Sequence, residues 1–229
     1  MGSTSIKFLL CAGVLAAGVH FAARADDAVK VPAPVFDPAV AGPSETAQLS
    51  GGCFWGVQGV YEHVKGVEHV YAGYTGGAKD TAQYETVSTG TTGHAESVQI
   101  IFDPKVISYG QILQIYFAVT ADPTELNYQG PDSGSQYRSE IWVADGVQKE
   151  VAEKYIAQLS AAHAFDGPIV VRVDPSQAFY HAEDYHQDFL VLHPDYPYIA
   201  VNDLPKVENL QSVLPQFYQA NPVTVFPVN

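Results

Sequence analysis

The chain has 229 residues, of which 47% are hydrophobic, 12% aromatic and only 16% charged, enough apolar material for one well-packed domain and too little charge for a disordered chain. Its formal charge is −14, with 11 Lys and Arg against 25 Asp and Glu, which argues against a nucleic-acid surface, since phosphate binding needs clustered cations. The first 25 residues read as a leader: Lys7 opens a basic start, Phe8 to Ala23 is apolar, and Ala23-Arg24-Ala25 has the small-x-small form of a signal-peptidase site. An uncleaved membrane anchor fits less well, because the run is short and meets Asp26-Asp27 without a stop-transfer flank. Leu10 before Cys11 is too bulky for a lipidation signal. The expectation is therefore export, to a periplasm or medium, with Asp26 as the first mature residue. Removing Lys7 and Arg24 takes the formal charge from −14 to −16, and removing Cys11 leaves Cys53 as the one remaining cysteine of two.

Residues 26–44 hold Pro32, Pro34, Pro38 and Pro43 and read as an extended linker, with order beginning near Glu45 and one domain running from there to residue 229. Thr46 to Ser50 predicts a strand, and Val57, Val60, Tyr61 and Val64 at i, i+3, i+4, i+7 predict one face of a helix. Val67 to Tyr74 and Ser97 to Phe102 predict two strands separated by a long Gly- and Thr-rich loop. Ser108 caps a predicted helix carrying Ile112, Ile115, Tyr116 and Val119, and a second loop spans Asp122 to Arg138. Glu140 to Ala144 reads as strand, Val147 to Ala162 as helix and Pro168 to Val173 as strand. Val207, Leu210, Leu214 and Phe217 fit one amphipathic helix in a C-terminal extension. The order β-α-β-β-α-β predicts an α+β fold, a ferredoxin-like two-layer sandwich with long functional loops, rather than a doubly wound parallel sheet.

Gly51-Gly52-Cys53-Phe54-Trp55-Gly56 lies at the turn from the first strand into the first helix. The glycines permit a tight turn, and a cysteine at a helix N-terminus meets unpaired N–H groups and a dipole that favour the thiolate. These residues leave two readings open: a nucleophile, or a small buried apolar side chain.

The hexapeptide is followed in order by Gly73-Tyr74-Thr75-Gly76-Gly77, Tyr84-Glu85, Thr92-Gly93-His94-Ala95-Glu96, Asp122-Pro123-Thr124, Gln129-Gly130-Pro131-Asp132, Gln136-Tyr137-Arg138-Ser139, and Phe179 through Gln187 with His181, Asp184, Tyr185 and His186. This ordered set, covering about Gln48 to Leu190, resembles the peptide methionine sulfoxide reductase A family. The resemblance implies reduction of methionine-S-sulfoxide, free or in oxidised proteins, with Cys53 as nucleophile and a sulfenic acid intermediate. It further implies Glu96 as the acid, Tyr84 and Tyr137 as hydroxyl donors to the sulfoxide oxygen, and Phe54 and Trp55 as the wall around the substrate methyl. Asp132 would position backbone or a tyrosine, and Asp184, Tyr185 and His186 would support the site from behind. The chemistry needs such a set, because a sulfoxide is a poor electrophile until its oxygen is protonated or strongly hydrogen-bonded.

Two departures from the family pattern stand in the loops: Ala121, where relatives often have His, and Tyr128, where they often have Arg. The tail also lacks the further cysteines many relatives carry, so the resemblance implies no bound cofactor but an external thiol reductant, a thioredoxin-like protein or a dithiol. The spacing of His181 and His186 misses a shared helix face, so no metal site is expected. Two competing readings use the same residues: a cysteine hydrolase with His181 or His186 as base, and a non-catalytic binder of oxidised methionine.

Overall fold

A computed structural model describes residues 28–227 of the chain; the expected leader and its expected cleavage site lie outside the described residues. In chain order the elements are β1 (Glu45–Ser50), α1 (Phe54–Glu62), β2 (Val67–Thr75), α2 (Tyr84–Val87), β3 (Ala95–Phe102) and α3 (Tyr109–Ile115). There follow a short hairpin of β4 (Tyr128–Gln129) and β5 (Asp132–Ser133), then β6 (Glu140–Val143), α4 (Gly146–Ala161), β7 (Arg172–Pro175), β8 (Phe179–His181), α5 (Phe189–Leu192) and α6 (Leu204–Val213). The main sheet has the order β7-β6-β1-β3-β2-β8. Its centre, β6-β1-β3-β2, is antiparallel throughout and comes from β1, α1, β2, β3, α3 and β6, the α+β split unit expected. β7 extends one edge in parallel with β6, and β8 extends the other antiparallel to β2.

The strand period of two assigns the faces. Ala47 and Leu49, Val70 and Ala72, and Val98, Ile100 and Phe102 are buried against Val57, Val60 and Tyr61 of α1 and Ile112 and Ile115 of α3 in one core. Glu96 and Tyr74 share this core-facing parity at the ends of their strands, where they pair directly. A carboxyl is thus carried on the apolar face of the sheet, beside the N-terminus of α1.

Several expectations are corrected. The Pro-rich segment is no free linker, and order begins well before Glu45. The carbonyls of Val31, Pro32 and Ala33 accept from Gln114, Tyr155 and Gln158, the Val29 N–H donates to Ala118, and Asp37 accepts from Ser108 and the Gly110 N–H. Prolines favour an extended chain whose carbonyls are unpaired, and those carbonyls are what the two helices grip. The strand expected at Pro168 to Val173 begins at Arg172, because Val170 donates first to Pro123 O at 2.8 Å. The C-terminal helix ends at Val213; Leu214 is buried beyond it, and Tyr218 instead bridges to Val64.

Gln187, the last residue of the last family-like motif, closes the sheet side of the site. Its amide accepts from Ala72 N at 2.9 Å and donates to Ala72 O at 2.9 Å and to Ala182 O at 3.1 Å, while Gln58 donates to its oxygen. Gln187→Ala would leave the buried Ala72 N–H unpaired, while the Ala72 carbonyl keeps the Ala182 N–H, and is expected to lower stability by about 1–3 kcal/mol in urea unfolding.

Candidate active site

Gly52 takes φ +87°, and a Cβ there would fall 2.6 Å from Gln129 Cβ, so the turn requires both positive φ and the absence of a side chain. The turn delivers Cys53 to the N-cap of α1, with Phe54 and Trp55 in the first turn. Cys53, Phe54, Trp55, Tyr84, Glu96, Asp132 and Tyr137 then line one cleft of about 240 Å³ together with Tyr196 and Tyr198. All seven residues assigned by resemblance to catalysis and substrate binding are thereby brought together, from β1–α1, α2, β3, the β4–β5 hairpin and the loop before β6. A larger cavity of about 400 Å³, lined by Val29, Phe117 and Phe165 among others, takes in none of these seven residues.

Glu96 is 2% exposed, and one carboxyl oxygen accepts from the Phe54 N–H at 2.9 Å. Burial pushes its pKa up to about 8 against the opposing effect of that bond, with Asp132 and Asp203 adding to the rise. It is therefore a protonated acid at neutral pH. Tyr84 and Tyr137 are held as neutral phenols, their acidity lowered by burial first and by Glu96 second, so both can donate to an oxygen in the cleft.

The cysteine corrects a sequence expectation. The Trp55 N–H at the helix N-terminus does favour a thiolate, but burial and then Glu96 and Asp203 outweigh it, and Cys53 rests as a thiol. The desolvated pocket wins because its walls are apolar and its nearby charges are acidic.

Trp55 is the main wall. It stacks on Phe189 at 4.0 Å and 12°, meets Tyr196 and Tyr198 edge-on, and donates its indole N–H to His186 Nδ1 at 3.1 Å. Phe54 is 1% exposed and packs toward Tyr74 and His186, so it contributes to the floor of the cleft. Since Nδ1 accepts from Trp55, the neutral His186 ring carries its proton on Nε2, facing Glu183 at 4.0 Å; burial lowers its pKa. Of the three residues expected behind the site, only His186 is buried there. Tyr185 is 61% exposed with its ring against His186, and Asp184 is exposed on the same short turn.

Glu183, which no sequence argument singled out, accepts from Tyr74 Oη and from Tyr84 N, both at 2.9 Å, and so fixes the start of α2. Tyr198 was also missed. Its hydroxyl donates to Asp132, which is the tyrosine-positioning contact implied for that acid. Nothing in the spacing of Asp195-Tyr196-Pro197-Tyr198 ties it to Cys53, so only the folded C-terminal segment places it. His181 is exposed on β8 against Tyr71, and His186 Nδ1 is taken by Trp55, so neither histidine of the competing hydrolase reading is a free base in the Cys53 cleft.

A family model for peptide methionine sulfoxide reductase matches residues 45–217. The chain is 59% identical over 182 residues to peptide methionine sulfoxide reductase MsrA 2 of Mesorhizobium japonicum, covering 80% of this chain and 93% of the relative. It is 48% identical over 185 residues to the protein of the same name from Synechocystis, covering 79% and 86%. Among solved structures it is similar to methionine sulfoxide reductase A of Corynebacterium diphtheriae, with TM-score 0.57 and 30% identity over 73% of this chain and 85% of that one. Reduced Mxr1 of Saccharomyces cerevisiae gives TM-score 0.59 and 28% identity, over 70% and 91%.

The buried acid also leaves a signature in stability. Glu96 titrates near 8 when folded against the ordinary 4.5, so between these values the folded chain holds a proton that the unfolded chain releases. Stability therefore falls as pH rises through this window, by about 1.4 kcal/mol per pH unit from this carboxyl. Glu96→Gln should remove that component, so urea unfolding of the variant should show a shallower decline with pH than the parent.

Proposed function

The chain belongs to the peptide methionine sulfoxide reductase family, and on that premise we propose that Cys53, Glu96, Tyr84 and Tyr137 carry out the reduction in the cleft walled by Trp55. The reaction is reduction of methionine sulfoxide to methionine, which repairs oxidised proteins. The observation that carries the assignment of roles is the placement of a protonated carboxyl and two neutral phenols around one thiol in a single cleft.

The substrate methyl rests against Trp55, and the sulfoxide oxygen receives hydrogen bonds from Tyr84 and Tyr137. The Cys53 sulfur attacks the sulfoxide sulfur while Glu96 gives its proton to the oxygen and takes one from the thiol. The oxygen passes to Cys53 as a sulfenic acid, and methionine leaves with both sulfur electrons it had lost. The relay answers the high thiol pKa, because the acid that protonates the oxygen also ends the step having accepted the thiol proton. The family resemblance assigns the S epimer.

Cys53 is the free cysteine among the described residues. With Cys11 removed in the leader, no internal disulfide can form, and two equivalents of an outside thiol are needed: one displaces water from the sulfenic acid, and the second releases Cys53 and leaves the reductant as a disulfide. A thioredoxin-like protein outside the cytoplasm suits the leader, which directs the chain to a periplasm or medium. No helix among the described residues is long and apolar enough to cross a membrane.

Cys53→Ser should fold normally and release no methionine from S-sulfoxide, whereas turnover in that variant would overturn the assignment. Glu96→Gln should slow the reaction by about 10²-fold or more. With no added thiol, the mature protein should release about one methionine per chain and stall with one added oxygen on Cys53, detected by intact mass and a sulfenic-acid trap. A dithiol should restart it. Sustained turnover without reductant would rule out the single-cysteine cycle.

A further inference from the structure

Asp203 stands at the junction into α6, carried there by the wide turn Ile199–Asp203 that follows Tyr198. It is fully buried, and neither carboxyl oxygen has a hydrogen-bond partner. Its place beneath α1 is set by Gly56: a Cβ at that position would meet Asp203 Oδ1 at 2.1 Å and its carboxyl carbon at 2.7 Å. The acid thus lies against the first turn of the helix that Cys53 caps. Among the described residues the cation that pairs with it is Lys206, itself 4% exposed, with its ammonium 3.8 Å from Oδ1. A carboxyl and an ammonium so buried are costly to maintain, and packing alone would be better served by apolar side chains of similar volume.

We propose that Asp203 and Lys206 are positioning residues for the reaction, a buried charge pair under the first turn of α1 that sets how readily Cys53 gives up its proton. The charged and titratable groups facing this pair are Cys53 on α1, Glu96 on β3, Asp132 on β5 and Tyr198 in the preceding segment, and each feels it. Asp203 is pushed up by burial to about 7, so it is an anion in the range where Cys53 titrates, well above the ordinary thiol value. An anion there opposes the thiolate and keeps the proton on sulfur until Glu96 takes it. Lys206 acts in the opposite sense, restraining both Asp203 and Asp132. With Asp203 at the entry to α6 and Lys206 in its first turn, a cation so placed should favour the thiolate where the anion opposes it.

The proposal rests on Cys53 being the nucleophile, but its test needs no turnover. The rate of Cys53 alkylation by iodoacetamide is measured across neutral and alkaline pH in the full mature chain. Asp203→Asn, which keeps the shape and removes the charge, should move the rate–pH line down by about half a pH unit or more, equivalent to about threefold faster alkylation below the midpoint. Lys206→Gln should move it the other way in the alkaline range, where Asp203 is ionised with or without its partner. Opposite shifts in two folded variants cannot come from loosened packing, which would speed both. An unchanged line in folded Asp203→Asn, or shifts of the same sign in the two variants, would overturn the proposal. Should Asp203→Asn fail to fold, the sign of the Lys206→Gln shift decides alone.

Discussion

The hydrogen bond from the Phe54 N–H to Glu96 is the contact on which the active site depends. It joins the first turn of α1 to the end of β3 and brings the thiol-bearing cap beside a carboxyl that the strand parity has already turned toward the core. Burial then does the chemical work, since a carboxyl without water keeps its proton and becomes an acid at neutral pH. The bond to Phe54 opposes this effect without cancelling it. The contact thus sets the position of the acid, and burial sets its protonation state.

The surrounding structure keeps that arrangement from relaxing. Glu183 holds the first residue of α2, His186 holds the indole of Trp55, and Gln187 supplies Ala72 with the backbone pairing that no strand provides there. These three lie within five residues of one short turn, which accounts for the density of that motif. Asp188, next in the chain and in left-handed conformation, accepts from the N–H groups of Val225 and Phe226 and so ties down the tail behind Phe189, the ring on which Trp55 stacks. The C-terminal extension is part of the site: it contributes Tyr196, Tyr198 and Asp203 and braces the wall from behind.

Sulfur is used sparingly in this chain. Its single methionine is Met1, and apart from Cys11 in the leader its only cysteine is Cys53. Beyond Met1, a chain whose family removes oxygen from thioether sulfur carries no thioether of its own to be oxidised.

The strands β1, β2, β3 and β6, the helices α1, α3 and α4 and the place of Cys53 were legible in the chain because they follow from local periodicity and turn chemistry, such as the i, i+3, i+4, i+7 face of α1 and the cap at Ser108, whereas α2, β4, β5, β8 and α5 are too short to leave such a pattern. That Glu96, Tyr84 and Tyr137 belong beside Cys53 was legible from ordered motifs, and one cleft gathers them. What could not be read was anything set by contact across the chain. The proline-rich segment looked like a linker because composition reports extension and not what the free carbonyls meet. The thiol looked like a thiolate because a helix N-terminus is a local feature, whereas the burial and acidic neighbours that reverse it come from β3 and from the segment before α6. Tyr198 and Asp203 carried no signal at all, since their partners, Asp132 and Gly56, lie 66 and 147 positions away, and such pairings exist only once the sheet has closed and the tail has docked.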